Sequence, residues 1–321
     1  MYTSSQLLEN INAALAAITY PNRPEGLYEP VKYVLALGGK RIRPVLTLLA
    51  YNLWRDDMER AMPAALGLET YHNYTLLHDD LMDRADIRRG HPTVHRVWDE
   101  NTAILSGDTM LVLAYRLMQQ TGNAAVLELF TRTALEIGEG QQYDMNFERR
   151  TNVTVDEYIE MIRLKTSVLL ACAAKTGALL AGASDADADV LYRYAELIGL
   201  AFQLQDDFLD VYGDPAVFGK KIGGDILCGK KTFLLINAWM RADEGQRERL
   251  VSYLSSGPWQ PEEKIAAVTA LYNELGIADV CRDAIEHYFA QAQEQLGRLS
   301  LPEERTTELR VFVGSLLNRK S

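Results

Sequence analysis

Apolar residues recur at helical spacing through most of the chain. Residues 102–120, 155–182 and 189–212 show the pattern most clearly, with apolar positions three and four residues apart. The alternation of Val, Ile and Thr that is typical of strands is scarce, and no proline interrupts the chain between Pro92 and Pro215. The pattern predicts an all-α fold of several long helices.

Clusters of turn-forming residues divide these helical segments. They lie at residues 20–30, 88–92, 145–152, 182–189, 213–231 and 255–263. None resembles a long flexible linker, and the chain shows no fixed-period repeat. We therefore predict one domain that covers residues 1–321. Residues 213–231 are rich in glycine and lysine, which fits either a flap that lowers positive charge onto an anion or a plain surface loop.

The overall charge excludes two classes of partner. The 321 residues carry a formal net charge of −11, which argues against nonspecific binding to nucleic acid or to an anionic membrane. The first residues lack the basic start of a signal peptide, and the apolar run 168–183 is interrupted by Lys175 and short for a bilayer. We expect a cytoplasmic protein without a membrane span. The three cysteines are isolated, so they predict neither a disulfide framework nor a zinc site.

An acidic cluster follows one of the apolar segments, in the sequence LLHDDLMDRADIRRGHP at residues 76–92. On a helix Asp79 and Asp83 share a face, where like charges cost about 0.2–0.5 kcal/mol per pair. A solvated helix end is one explanation. A bound cation is the other, and the apolar residues before the cluster favour it because they indicate a mostly buried helix.

A second acidic cluster repeats the same spacing. In FQLQDDFLD, Asp206, Asp207 and Asp210 again form a DDxxD motif at the end of an apolar helical run. If the two helices face each other across a bundle, their carboxylates converge on one site. Hard oxygen ligands of this kind suit Mg²⁺, which shares its coordination sphere with substrate phosphates. The two motifs together predict a magnesium diphosphate site.

Cationic residues flank the first acidic cluster. They are Lys40, Arg41 and Arg43 in GGKRIRP and Arg88 and Arg89 in RRGHP. The rigid guanidinium fork suits phosphate oxygens. The GGK sequence lacks the GxxxxGK[ST] spacing and the preceding strand of a Walker loop. Each cluster alone fits a solvated surface, but two acidic motifs beside them favour binding of a polyanion.

These motifs, taken together, resemble a known family. GGKRIRP, HDDLMDRADIRRGHPTVH, LKT, FQLQDDFLD and GKKIGGDI…GKKT occur between residues 38 and 232 in the order found in the all-trans isoprenyl diphosphate synthases, also called polyprenyl synthetases, of the farnesyl and geranylgeranyl type. The flanking segments are similar to the family only in helical character. The resemblance implies a bundle of long helices around a deep central cavity, with both aspartate motifs at its mouth, and usually a homodimer.

The resemblance also assigns metal ligands. Asp79 and Asp83 would bind two of three Mg²⁺ ions and Asp206 would bind the third. Asp80, Asp207 and Asp210 would support them. The ions would stabilise the negative charge that develops on the departing diphosphate.

Substrate contacts follow from the same resemblance. The allylic diphosphate would be held by Arg88, Lys165, Lys220 and Lys230, and isopentenyl diphosphate by Lys40, Arg43, His72 and Arg89. Lys221 matches the family pattern as an alternative to Lys220. Residues 213–231 and the C-terminal NRKS would form a lid that excludes water.

Further residues in the motifs receive roles on the same basis. Thr166 and Gln203 would present oxygen atoms to the carbocation, with no protein general base required. His78 is predicted to form a structural hydrogen bond. Gln141 and Asp144 match a family pattern near the site without an implied direct ligand role.

Product length depends on the helix that carries the first motif. Tyr74, five residues before Asp79, would lie roughly 7 Å down the helix, on the floor of the cavity. An aromatic residue there, with Thr75 at the next position, resembles some geranylgeranyl synthases. We therefore expect a twenty-carbon product in preference to a fifteen-carbon one.

Two other functions are compatible with parts of the pattern. A class I terpene cyclase has a similar scaffold, but its second motif resembles NDxxSxxxE instead of the DDxxD seen here. A noncatalytic subunit of a heteromeric prenyl synthase tends to lose an aspartate motif, whereas both are present.

Overall fold

A computed structural model describes residues 2–214, 222–255, 257 and 259–317. Lys220, Lys221 and the C-terminal NRKS, which received site or lid roles above, lie outside the described residues. Helices dominate the rest, which confirms the all-α prediction.

The elements follow one another along the chain in a simple order. The first are α1 (Ser4–Ala16), α2 (Glu29–Ala36), α3 (Ile42–Asn52), α4 (Met62–Met82), β1 (Ile87–Arg88), β2 (His91–Pro92), α5 (Val94–Val97), α6 (Glu100–Gln119) and α7 (Ala124–Glu148). Next come α8 (Val155–Ile162), a π-helical turn (Arg163–Ser167), α9 (Val168–Ala181) and α10 (Asp185–Tyr212). The last are α11 (Gly224–Cys228), α12 (Phe233–Arg241), α13 (Glu244–Leu254), α14 (Pro261–Glu274), α15 (Ile277–Leu296) and α16 (Glu303–Leu317).

The chain divides into two compact units. The first comprises Met1–Arg132, Cys172–Tyr192 and Ser300–Leu309, and the second comprises Thr133–Ala171, Arg193–Leu299 and Arg310–Ser321. That the chain forms a single domain, and that its helices enclose a central cavity, stay predictions.

In the first unit, α4 packs against α3 and α6. Proline in the first turn starts α4, where its missing N–H costs nothing. Asp99 caps α6 by accepting a hydrogen bond from the Thr102 backbone N–H at 2.8 Å. Gly177 of α9 lies so close to α3 that a Cβ there would meet the Thr47 carbonyl oxygen at 2.2 Å. These contacts fix α4, the helix that carries the first aspartate motif.

A short hairpin interrupts the helices where the sequence predicted only a break. Strands β1 and β2 pair antiparallel, with Arg88 opposite His91. The two residues between them, Arg89 and Gly90, have φ angles of 54° and 79°. Two successive positive φ angles are what a two-residue hairpin loop of type I′ requires. The RRGH sequence therefore turns the chain back immediately after the first acidic motif.

In the second unit, a π-helical turn separates α8 from α9. Gly140 of α7 and Gly199 of α10 approach this turn closely. A Cβ at Gly140 would lie 2.4 Å from the backbone nitrogen of Lys165, and a Cβ at Gly199 would lie 2.6 Å from the Cα of Ser167. Turns of this kind are frequent at functional sites. Here close packing against two glycines fixes the backbone of Lys165 and Thr166.

One helical segment has the composition of a membrane span. Val155–Ala181 has a mean hydropathy of 1.4 and sufficient length, but 78% of the window is buried inside the structure. Core helices of globular proteins pass the same test, so this segment is weak evidence for a span.

The two glycines of α7 allow a matched test of this packing. Gly140→Ala should lower the free energy of unfolding by about 1–3 kcal/mol, because its Cβ collides with backbone atoms that cannot move independently. Gly138→Ala, whose Cβ would have nothing within 4 Å, should be neutral or stabilise by about 0.5–1 kcal/mol. Urea denaturation followed by circular dichroism measures both. Equal effects of the two substitutions would contradict the packing described here.

Candidate active site

The first aspartate motif lies at the end of α4 and separates into two kinds of carboxylate. Asp80 is 5% exposed, and its Oδ1 accepts hydrogen bonds from Arg88 Nε at 2.9 Å and Nη2 at 2.6 Å. Burial raises the pKa of Asp80, although the guanidinium acts in the opposite direction. Asp79 is half-buried and Asp83, one turn further, is exposed. The outer carboxylates therefore face the surface, and the middle one is held inside.

Arg88 is tied to the motif that it follows. Strand β1 carries its side chain back to Asp80, eight residues earlier in the chain. A guanidinium held by one carboxylate is positioned before any substrate arrives. Its role as a diphosphate ligand stays a prediction.

Arg89 lies against the glycine loop between α2 and α3. It donates to the Gly38 carbonyl oxygen and to Asn73 Oδ1, the latter at 3.3 Å. A Cβ at Gly39 would lie 2.8 Å from Arg89 Cζ, and the φ of Gly39 is 122°. Gly38, with a φ of 75°, is favoured by its left-handed backbone, and Gly39 is favoured both by its backbone and by the space that the guanidinium occupies.

Arg41 is a structural residue and not a surface cation. It is 5% exposed and pairs with Glu69 at 2.6 Å. It also donates to the Leu35 carbonyl oxygen at 2.6 Å and to Asn12 Oδ1 at 3.2 Å. These contacts separate it from its neighbours: Lys40 is exposed and Arg43 is half-buried at the start of α3.

His72 lies in a strongly cationic neighbourhood. Burial, followed by the positive charges of Arg43, Arg89 and Arg88, lowers the pKa of His72 well below its ordinary value. The imidazole is therefore neutral near pH 7 and can donate one hydrogen bond without adding charge. The first unit thus gathers His72 and three arginines named by the sequence around one region of α4.

Aromatic rings extend from this region along α4. Tyr74 contacts His78 and Tyr71, with ring centroids 4.8 Å and 5.4 Å apart. Tyr71 contacts Phe130 of α7 at 5.2 Å. His78 Nε2 lies 3.3 Å from the Ile104 carbonyl oxygen, and it fills the space that a Cβ at Gly107 would need. His78 thus forms a hydrogen bond of the kind that the sequence predicted for it.

In the second unit, the π-helical turn carries a lysine to an acidic partner. Lys165 Nζ donates to Asp144 Oδ2 at 2.6 Å. Burial alone would raise the pKa of Asp144, but the ammonium groups of Lys165 and Lys230 hold it below its usual value. Two lysines that the sequence assigned to one diphosphate therefore lie near the same carboxylate.

The middle aspartate of the second motif is buried like that of the first. Asp207 is 5% exposed and accepts from Tyr158 Oη at Oδ2 and from Gln203 Nε2 at Oδ1, the latter at 3.1 Å. Burial and the nearby carboxylate of Asp225 raise the pKa of Asp207 to about 7. Gln203 Oε1 accepts from the Thr166 hydroxyl at 3.1 Å. Thr166 and Gln203, predicted to act together, are in contact.

Asp210 joins the second motif to α11. Its Oδ2 accepts the Asp225 backbone N–H at 3.0 Å, and its carbonyl oxygen accepts the N–H of Gly223 at 2.6 Å. The Lys230 backbone N–H in turn donates to the Asp225 carbonyl oxygen at 2.9 Å. Asp210 thereby helps to place the segment that carries Lys230.

The donor chemistry of both motifs fits Mg²⁺. Asp79, Asp83 and Asp206 supply hard carboxylate oxygens at partly or fully exposed positions. Within the described part of the chain, no three His, Cys, Asp or Glu side chains are grouped closely enough to hold a metal ion by themselves.

Tyr158 is the residue that the sequence did not reveal. Its position on the apolar face of α8, among buried residues such as Phe147 and Phe233, is typical of a core aromatic. The one available signal was chemical: a buried middle aspartate needs hydrogen-bond donors, and a tyrosine seven residues before Lys165 can supply one.

Two aspartate motifs, each close to arginine or lysine side chains, supply the carboxylates that suit Mg²⁺ and the cations that suit phosphate oxygens. The family model described as polyprenyl synthetase matches residues 24–274. The chain belongs to this family.

Individual relatives match over most of their length. The chain is 40% identical over 307 residues to a geranylgeranyl diphosphate synthase of Methanosarcina mazei, covering 94% of this chain and 93% of the relative. It is 41% identical over 275 residues to a short chain isoprenyl diphosphate synthase of Methanocaldococcus jannaschii, covering 84% and 83%. A crystal structure of a geranylgeranyl pyrophosphate synthase matches with a TM-score of 0.94 and 42% identity, covering all of both chains.

Proposed function

We propose that this chain is a short-chain trans-prenyltransferase that condenses isopentenyl diphosphate with an allylic diphosphate. The observation that carries the proposal is the presence of two cationic regions. One surrounds His72 in the first unit, and the other contains Lys165 and Lys230 in the second. A reaction between two diphosphates needs both, whereas a terpene cyclase binds one. The names of the relatives support the same activity.

In this proposal the two substrates are bound by different residues. Lys40, Arg43, His72 and Arg89 hold isopentenyl diphosphate, and Arg88, Lys165 and Lys230 hold the allylic diphosphate. Neutral His72 suits its place, because an additional positive charge among arginines would be costly. Lys220 or Lys221 completes the allylic site in the family pattern.

Asp79, Asp83 and Asp206 would bind the three Mg²⁺ ions expected for the family. When bound, the ions supply positive charge that stabilises the diphosphate as the allylic carbon–oxygen bond breaks. Arg88 and the lysines act on the same negative charge, and their prior contacts with Asp80 and Asp144 limit their motion.

The cation formed by that ionisation needs electron-rich neighbours. The Thr166 hydroxyl hydrogen is donated to Gln203, so the Thr166 oxygen offers only lone pairs to a ligand. The double bond of isopentenyl diphosphate attacks the allylic cation, and a proton is then lost to the released diphosphate. The residues of this chain orient and stabilise, and none of them needs to accept that proton.

Activity with single carboxylate changes tests the proposal. Asp79→Asn and Asp206→Asn should each lower kcat about 100-fold or more, since each removes a proposed ligand of the Mg²⁺ ions that would stabilise the developing negative charge. Asp86→Asn is the matched control, because the Asp86 side chain is exposed and its ion pair with Arg96 lies at the surface. Incubation with Mg²⁺, labelled isopentenyl diphosphate and each allylic diphosphate measures elongation. Failure of the unchanged protein to elongate any allylic diphosphate would refute the function.

The proposed product is geranylgeranyl diphosphate, with twenty carbons. Tyr74 precedes the first aspartate motif on α4, and its ring contacts that of Tyr71, which in turn contacts Phe130 of α7. In this proposal a growing chain would end at these rings. Tyr74→Ala should shift the products to longer chains, because it removes the ring that is proposed to form the floor of the cavity. Tyr74→Phe keeps the ring and should leave the products unchanged. Chromatography of the dephosphorylated products decides, and an unchanged distribution in Tyr74→Ala would contradict this role.

We also propose that the protein is a homodimer formed through α6. Ile104, Leu105 and Val112 are 47%, 59% and 68% exposed on this helix. Several large apolar side chains on one exposed helix are typical of a surface that is covered in the assembly.

The proposed interface on α6 can be tested by placing charge among its exposed apolar residues. Leu105→Glu and Val112→Glu should each shift the protein towards monomer, because association would bury the new carboxylate. Val251→Glu changes a valine that is 52% exposed on α13 and should leave the mass unchanged. Sedimentation velocity measures the mass. A monomeric unchanged protein, or variants that remain dimeric, would contradict the interface.

A further inference from the structure

Four side chains of the second unit form a continuous chain of hydrogen bonds. The Tyr158 hydroxyl donates to Asp207 Oδ2, and Gln203 Nε2 donates to Asp207 Oδ1 at 3.1 Å. Thr166 Oγ1 then donates to Gln203 Oε1 at 3.1 Å. The chain begins in the buried core and ends at Thr166, which is half-buried on the π-helical turn.

The donors and acceptors in this chain fix the orientation of the Gln203 amide. The amide nitrogen of Gln203 faces Asp207 Oδ1, which accepts its hydrogen bond when Asp207 is ionised, and the amide oxygen faces the Thr166 hydroxyl. The Thr166 hydroxyl then donates its hydrogen to that oxygen. As a result both Thr166 and Gln203 present oxygen lone pairs, the negative ends of their dipoles, to a ligand beside them.

Tyr158 holds the far end of this arrangement. Each oxygen of Asp207 accepts one hydrogen bond, one from Tyr158 and one from Gln203. Without the tyrosine hydroxyl, Oδ2 would lack that donor inside the protein, and rotating the carboxylate would allow Gln203 Nε2 to donate to either oxygen. The amide would then be less firmly held, and its positive end could turn towards the ligand.

We propose that Tyr158 is a positioning residue for the reaction, acting through Asp207 to keep the Gln203 and Thr166 oxygens directed at the allylic cation. The inference rests on the proposed function. Packing alone does not require the hydroxyl, since Tyr158 is 2% exposed in an apolar cluster that a phenylalanine ring would fill equally well.

The test is the kinetics of Tyr158→Phe. Loss of a hydrogen bond to a charged group predicts that kcat falls about tenfold to a hundredfold. KM for both diphosphates should change less than about twofold, because the proposed effect arises after binding. Tyr194→Phe is the matched control: Tyr194 is a fully buried tyrosine of α10 outside this chain, and its variant should keep the unchanged kcat.

A double variant separates positioning from general stability. Because Tyr158 is proposed to act through Gln203, Tyr158→Phe should lower kcat no further in a Gln203→Leu background. Additive losses would show that Tyr158 acts independently of Gln203 and would overturn the inference. An unchanged kcat in Tyr158→Phe would overturn it as well.

A fluorinated allylic diphosphate gives a readout that does not depend on the folded fraction. Fluorine withdraws electrons and makes the cation harder to form, so the ratio of rates for the parent and fluorinated substrates reports how well the cation is stabilised. This ratio should rise in Tyr158→Phe and stay constant in Tyr194→Phe. A ratio equal to that of the unchanged protein would contradict positioning. Failure of the unchanged protein to elongate any substrate would instead refute the proposed function.

Discussion

A charge buried inside a protein must be paired or hydrogen-bonded, and this constraint organises both aspartate motifs. In each DDxxD sequence the middle aspartate is turned inward and satisfied by donors: Asp80 by Arg88, and Asp207 by Tyr158 and Gln203. The inward carboxylates fix neighbouring functional groups instead of facing solvent. The outer positions Asp79, Asp83 and Asp206 are partly or fully exposed, where carboxylates can meet ions and phosphates. Each motif thus combines one buried carboxylate that positions neighbouring groups with partly or fully exposed carboxylates that can bind ligands.

Glycines leave the space that several side chains of the candidate site need. Gly39 leaves room for Arg89, and Gly140 and Gly199 allow α7 and α10 to approach the turn that carries Lys165 and Thr166. A side chain at any of the three would meet atoms at less than 3.0 Å. At Gly140 and Gly199 the neighbour is backbone, whose close packing is rigid and holds side chains that would otherwise sample many rotamers. The glycines near the motifs therefore contribute to function through packing.

The sequence predicted the helices because periodicity and proline distribution are local properties, and it predicted the motif residues through their resemblance to a family. It could not distinguish Arg41 from Lys40 and Arg43, because adjacent cations look alike until burial separates them. It anticipated a break at residues 88–92 but not the hairpin, which depends on two positive φ angles in succession. The contacts of Tyr158 and the π-helical turn depend on tertiary packing between α7, α8 and α10, which leaves no periodic signal. Placement of Asp79 and Asp206 around one diphosphate stays a prediction of the sequence.

The most direct test is a crystal structure with Mn²⁺ and a non-hydrolysable allylic diphosphate, with the ions located by anomalous scattering. Manganese replaces Mg²⁺ at oxygen sites, so the peaks mark the metal ligands. If the outer aspartates bind the ions, we expect ions bound by Asp79 and Asp83 and by Asp206 at a single diphosphate. The buried aspartates Asp80 and Asp207 should remain in contact with Arg88 and Tyr158. Ions bound directly by Asp80 or Asp207, or carboxylates of Asp79 and Asp206 too far apart to serve one diphosphate, would contradict it.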